Sequence, residues 1–370
     1  MVPRRFHPRW AGLVGCFLVL LTSVAQSQPA TAAADVDFSV GDTVSSRDEQ
    51  DVREAVRFAQ DYLQELYDYA PADPLVVNIR NSSDPADPGA VAYSGGDFLV
   101  VYTGSQGWVE ASPFDRLHVI VHEYLHVYQF DFAGRGDDAA PAWLHEGMAE
   151  YLSYQAVIER GLVRARAVAD YQAWAVAQAD EGLDLKTVES LRAFQSAEGP
   201  IYPLSYLAIA YLVEDGNTRD LDRFFRTVGE GADWRSAFAA VFGRDVDAFY
   251  EAFARWRSEL IAPTNMPKAF APVKASTVPA DAAIETVATA AAVGEQTTVV
   301  AETEPGAQCK LRLRSGNRPA MVNRGSVADA GGLVFWLVTI PAELPPGPAT
   351  VTVSCGGERS TATIEIEPAA

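Results

Sequence analysis

Two histidines and a glutamate place the tightest constraint on this chain. His122-Glu123-Tyr124-Leu125-His126 carries imidazoles four residues apart. A helix puts residues at that spacing on one face, about one turn from each other, so both rings can reach a single metal ion. Glu123 projects to the side of that face, where it can hold a water beside the metal instead of ligating. Phe114, Leu117, Val121, Leu125 and Tyr128 recur on the opposite side and form a core-facing stripe. Ser112-Pro113 opens the helix, with serine at the N-cap and proline at the first helical position. Only five histidines occur in the 370 residues, and four of them lie between His118 and His145.

Two histidines leave a metal under-coordinated, and Trp143-Leu144-His145-Glu146-Gly147-Met148-Ala149-Glu150-Tyr151 can supply the third ligand. Glu146 and Glu150 are again four apart on one face. One can bind metal while the other accepts the remaining N–H of a ligand histidine. Together the two segments resemble the gluzincin metallopeptidases, and more closely the peptidase MA-like family, in which W-L-x-E-G-x-A-x-Y follows H-E-x-x-H. The resemblance covers roughly Ser46 to Leu260. It implies an α+β, zincin-like metallopeptidase domain with a mainly helical C-terminal subdomain. It also implies one catalytic Zn2+ on His122, His126 and Glu146, supported by Glu150. Peptide bonds would be hydrolysed through a zinc-activated water, with Glu123 as general base.

Nineteen residues separate His126 from Glu146. That is one more than in the zinc aminopeptidases, whose spacing would land on His145. Glu146 is nevertheless the expected ligand. One extra residue is easily absorbed in a loop containing Gly134 and Gly136, and His145 would have Ala149 where Glu146 has Glu150. His145 is also rotated about 100° around the helix from Glu146. The resemblance further implies that Tyr202, in Ile201-Tyr202-Pro203-Leu204-Ser205-Tyr206, stabilises the oxyanion, with Tyr206 as its competitor. The strand Phe98–Tyr102 would be the edge along which an extended peptide or protein substrate pairs. His118 stands one turn before His122 and is expected to support the site or sit at the surface. Asp137-Asp138 is expected to be solvated, with calcium as an outside alternative.

The rest of the chain is read by pattern. Hydrophobic residues make up 48% and charged ones 21%, which excludes a disordered chain. Arg4, Arg5 and Arg9 followed by the apolar Ala11–Val24 read as a secretory signal peptide over residues 1–27. Lipidation at Cys16 or an uncleaved anchor are alternatives. A helix is predicted from Ser46 to Tyr69 with a Ser46/Glu49 capping box, followed by short strands at Leu75–Ile79 and from Asp97 to Tyr102. Residues 36–262 would form the peptidase domain and 263–280 a Pro-rich linker. Short alternating runs over 281–370 suggest a small, immunoglobulin-like β-sandwich. Cys309 and Cys355 fall on its apolar strand faces and are expected to pair, against an alternative of two buried thiols.

Acids outnumber bases 49 to 29, and this field argues against nucleic acid or anionic membranes as the main partners. A secreted or extracytoplasmic zinc metallopeptidase is the expected function, with the oligomeric state left open. The absence of a G-x-M-E-N segment favours an endopeptidase or oligopeptidase. The rival reading is an extracellular binding or adhesion protein whose zinc site is structural or vestigial. Glu123 separates the two, since hydrolysis needs it and binding does not.

Overall fold

A computed structural model describes residues 36–71, 73–84, 88–134, 139–178, 183–213, 217–267, 282–287, 290–316, 321–328 and 332–368. The signal segment 1–27, most of the Pro-rich segment and Asp137-Asp138 lie outside these residues.

Four strands open the fold: β1 (Val36–Val40), β2 (Leu75–Arg80), β3 (Ala92–Ser94) and β4 (Phe98–Tyr102). They lie in the order β1-β2-β4-β3, with β1, β2 and β4 parallel and β3 antiparallel to β4. A parallel pair needs a crossover, and α1 (Ser46–Tyr67) provides it between β1 and β2. Its apolar positions Val52, Ala55, Val56, Ala59 and Leu63 are all buried. The cap sits one residue earlier than the pattern suggested. Ser45, not Ser46, is the N-cap, and its side chain accepts the backbone N–H of Asp48.

The sheet also corrects the expected substrate edge. Phe98–Tyr102 is paired on both sides, with β2 and with β3, so it is an interior strand. The free edge on that side is β3. Three residues without an alternating apolar pattern gave no strand signal, because β3 is held by its ladder to β4 and by packing on the helix beneath.

After the short α2 (Gln106–Glu110) comes α3 (Pro113–Ala133), capped by Ser112 in a reciprocal pair with Asp115. The predicted stripe of α3 is buried, but so are Ile120, Tyr124 and Val127, so the helix is enclosed on nearly every side. It packs against α1 and against α4 (Ala142–Glu159). The helical remainder comprises α5 (Ala165–Ala177), a 3-10 turn at Leu185–Val188, α6 (Leu191–Ser196), α7 (Ile201–Leu212), α8 (Arg219–Gly229), α9 (Trp234–Phe242) and α10 (Val246–Ser258). Trp143 fixes α4 to α10 by stacking on Phe249 at 5.4 Å and donating from its indole N–H to the Tyr250 hydroxyl at 2.9 Å. Gly147 lets α4 approach α7, since a Cβ there would stand 2.7 Å from the Ser205 carbonyl oxygen.

The C-terminal region is all β. Its strands are β5 (Ala283–Val287), β6 (Ala290–Ala292), β7 (Gln296–Glu302), β8 (Gln308–Ser315), β9 (Val322–Val327), β10 (Leu333–Thr339), β11 (Gly347–Cys355) and β12 (Glu358–Glu367). They form a three-stranded sheet, β10-β7-β5, and a five-stranded sheet, β6-β12-β11-β8-β9. The alternating runs read over 281–370, namely 297–302, 308–314, 333–340, 350–355 and 361–367, correspond to β7, β8, β10, β11 and β12. β5, β6 and β9 are short or polar on both faces, which hid them. A separate core includes Leu311, Leu313, Val351 and Val353, and a Cys309–Cys355 disulfide joins directly opposed residues of β8 and β11.

The region is docked on the helical part. Val300, Phe335 and Leu337 join the first core, the apolar cluster of the N-terminal sheet and helices, and the Gln296 amide donates to the Glu54 carbonyl oxygen at 2.8 Å. Arg324 pairs with the buried Glu54 carboxylate through both terminal nitrogens. Among the described residues no helix is long and apolar enough to cross a membrane.

Candidate metal centre

Three side chains from two helices converge at one point. On α3, His122 Nε2 and His126 Nε2 lie 3.2 Å apart, and Glu146 Oε2 on α4 is 3.3 Å from each. A tetrahedral zinc ion with bonds of about 2.0–2.1 Å spaces its ligands by about 3.3 Å. The triangle therefore has the size that such an ion requires.

The surrounding contacts aim these atoms. His126 Nδ1 is 2.7 Å from Gln129 Oε1, whose amide nitrogen in turn donates to the His145 carbonyl oxygen at 2.9 Å. That second bond fixes Gln129 Oε1 as an acceptor, so His126 donates from Nδ1 and presents a lone pair at Nε2. His122 Nδ1 faces Glu150 Oε2 at 3.3 Å, which likewise leaves its Nε2 free to ligate. With both tautomers set in this way, two lone pairs and a carboxylate oxygen point into one space. A cation reconciles them.

The electrostatics favour positive charge at this point, carried either by protons on the rings or by a cation in their place. Burial opposes charge on His122, yet its hydrogen bonds to Glu146 and Glu150 outweigh burial and hold it up at about 10. Burial likewise opposes charge on His126, but Glu146 raises it overall. On Glu146, burial favours the neutral acid, but His126 and His122 hold the carboxyl well below its usual range. The carboxylates that favour a proton on these rings equally favour a divalent ion in its place.

His145 behaves differently. Its ring stacks on His126 at 4.9 Å and lies against Phe130 and Phe225, behind the ligand triangle. Burial pushes it down to about 3, so it is a neutral packing group. His118 is buried as well, with its Nε2 3.7 Å from Glu150 Oε2 and its ring on Tyr154.

Glu123 lies beside the triangle and is half-buried. The Ser94 hydroxyl, at the end of β3, donates to Glu123 Oε2 at 2.7 Å. Tyr202 is 43% exposed, with its ring 6.2 Å from that of His122, whereas Tyr206 is 5% exposed and packed among Tyr151 and Tyr154. Of the two tyrosines, Tyr202 is the one next to the centre. Sequence reasoning missed Ser94 and Gln129. Gln129 lies three residues after His126 on the same helix, a signal that was available. Ser94 is 29 residues from Glu123, and only the sheet brings them together.

A family profile described as collagenase, peptidase M9, matches residues 105–256, the stretch that holds both helices of the centre. No curated protein matches the chain. Among solved structures, an M1 zinc metallopeptidase from Deinococcus radiodurans is 15% identical, with a TM-score of 0.40, over 62% of this chain and 49% of that one. A β-glucosidase from Listeria innocua is 14% identical with a TM-score of 0.20, over 30% of this chain and 19% of its own. A CARDB domain from Pyrococcus furiosus, in complex with di-metal ions, is 7% identical with a TM-score of 0.19, over 26% of this chain and 95% of its own. This chain thus spans about a fifth of the β-glucosidase and about half of the M1 enzyme. At these scores the three likenesses carry no argument. The profile match supports a zinc-dependent peptidase.

Proposed function

We propose that this protein is an exported gluzincin-type endopeptidase or oligopeptidase with one catalytic zinc ion and a C-terminal immunoglobulin-like module. The observation that carries the reading is the triangle of His122, His126 and Glu146 with Glu123 at its side. A structural site would be closed by a fourth protein ligand. Among the described residues this group has three, which suits an open, catalytic position. Zinc bound there would supply Lewis-acid polarisation of a peptide carbonyl and a more acidic water.

The chain's own residues do the rest. Glu123 accepts a proton from the nucleophile and returns it to the leaving amine, and Ser94 holds one carboxylate oxygen so that the other faces the reaction. The Tyr202 hydroxyl donates to the developing oxyanion. Glu150 and Gln129 keep the ligand histidines in the tautomer that ligates.

The substrate strand is assigned to β3 in place of Phe98–Tyr102. The Gly95 N–H bonds the Phe98 carbonyl, and the Tyr102 N–H bonds the Val91 carbonyl. By the alternation of an antiparallel ladder, Ala92 and Ser94 turn their backbone groups to the free edge, where an extended peptide can pair.

The decisive test is Glu123→Gln. Zinc content should stay at the wild-type level, while cleavage of a peptide library falls by about three orders of magnitude or more. A chelator should abolish the wild-type cleavage. A zinc-loaded Gln variant with wild-type rates would overturn the proposal.

A further inference from the structure

The outer face of the five-stranded sheet carries an organised set of cations that the peptidase reading does not use. Along β8, Cys309, Leu311 and Leu313 point inward, so Lys310, Arg312 and Arg314 stand together on the exposed side. The register places them in three consecutive rows. Lys310 lies beside Ser354 and then Arg359, Arg312 beside Thr352 and then Thr361, and Arg314 beside Thr350 and then Thr363. On the other flank, Lys310 meets Gly325 and Arg312 meets Asn323. These three rows hold four cations, a run of hydroxyls and no carboxylate, and the acids of this face, Glu365 and Glu367, lie beyond Thr363 at the far end of β12. Among the described residues none of the four cationic side chains makes a hydrogen bond or ion pair. The grouping stands out in a chain with 49 acids and 29 bases.

We infer that this face binds a linear anionic polysaccharide lying along β8. Alternate residues of a strand are about 6.8 Å apart, so Lys310 to Arg314 forms a straight track about 14 Å long, with Arg359 about 10 Å to its side. A chain bearing regularly spaced carboxylates or sulfates can meet such a track, and the Thr/Ser rows beside it can bond sugar hydroxyls.

Other polyanions fit less well. The rows contain no aromatic side chain on which unpaired bases could stack, which single-stranded nucleic acid would use. Nor do they contain the buried aromatic anchor on which a folded protein partner would depend. The three-stranded sheet carries Val300, Phe335 and Leu337 into the first core, and the basic face belongs to the other sheet. The C-terminal region would thus hold the peptidase on an anionic polymer.

The test measures binding of the full chain to two immobilised probes, polygalacturonate for carboxylates and heparin for sulfates. The comparison is with Lys310→Ala/Arg312→Ala/Arg314→Ala and with a charge-matched control, Arg192→Ala/Arg219→Ala/Arg244→Ala. All six positions are exposed, and thermal melting checks that both variants fold. The wild type should bind at least one probe and lose affinity steeply with salt; the strand variant should bind at least about tenfold more weakly and the control like wild type. Absence of wild-type binding, equal binding by the strand variant, or equally weakened binding by the control would overturn the inference. Equally tight binding of poly-glutamate or single-stranded DNA would show a general polyanion surface and would also overturn it.

Discussion

Glu146 and His145 are neighbours in the chain but have opposite environments. Glu146 Oε2 completes the triangle with the two α3 histidines, while the His145 ring stacks behind His126. Glu146→Ala should therefore lose zinc at neutral pH, and His145→Ala should keep most of it, as metal analysis of the purified variants would show. The reverse result would move the site to His145. In the proposed mechanism Ser94 acts through Glu123, the general base. Without its hydroxyl, one oxygen of the base has no fixed donor, so Ser94→Ala should lower kcat about tenfold with little change in KM, the size of one lost hydrogen bond. Ser94→Thr retains a hydroxyl and should recover most of the rate. A merely structural role for Ser94 would not show that rescue.

At the scale of elements, the W-L-x-E-G segment is a packing device as much as a chemical one. Trp143 ties α4 to α10, and Gly147 allows α4 to lie against α7, which carries Tyr202. A methyl group at Gly147 would meet the Ser205 carbonyl oxygen at 2.7 Å and Ile209 Cγ1 at 3.0 Å. Helix backbone cannot yield locally, so Gly147→Ala should push the two helices apart and cost about 2 kcal/mol, read by denaturant unfolding. Because Glu146 is the preceding residue, zinc affinity should fall in the same variant. α1 and α3 were legible from apolar spacing and their serine starts, whereas α2, α5 and α6 gave no such signal. β3 was not, because a three-residue strand is specified by its neighbour's hydrogen bonds and not by its own pattern.

For the whole molecule, Arg324 and Glu54 join the two regions. Glu54 is 5% exposed, and burial raises its pKa above the ordinary value of 4.5, with Arg324 pulling against that shift. Removing the cation leaves a buried carboxylate with its charge uncompensated, so Arg324→Ala should cost about 3 kcal/mol at pH 7. The sign with pH follows. A raised folded-state pKa means that the folded protein binds the proton more tightly, so protonation stabilises it. That contribution is complete below 4.5 and is lost as pH rises through the folded pKa. The variant, with a still higher folded pKa, should recover part of its deficit when melted near pH 5. A deficit independent of pH would point to lost packing alone.

Local pattern by itself determined the helix of His122 and His126, the ligand candidates, the apolar strand runs of the C-terminal region and the inward-facing cysteines. These are short-range properties, because helical and strand periods assign faces without reference to the rest of the chain. Tertiary structure decided which strand is the free edge, that Ser94 reaches Glu123, that Gln129 and Glu150 set the two histidine tautomers, and that Glu54 and Arg324 meet across 270 residues. The physical reason is that pairing order and side-chain contact between distant segments depend on how whole elements bury their faces together, a choice that no local spacing encodes.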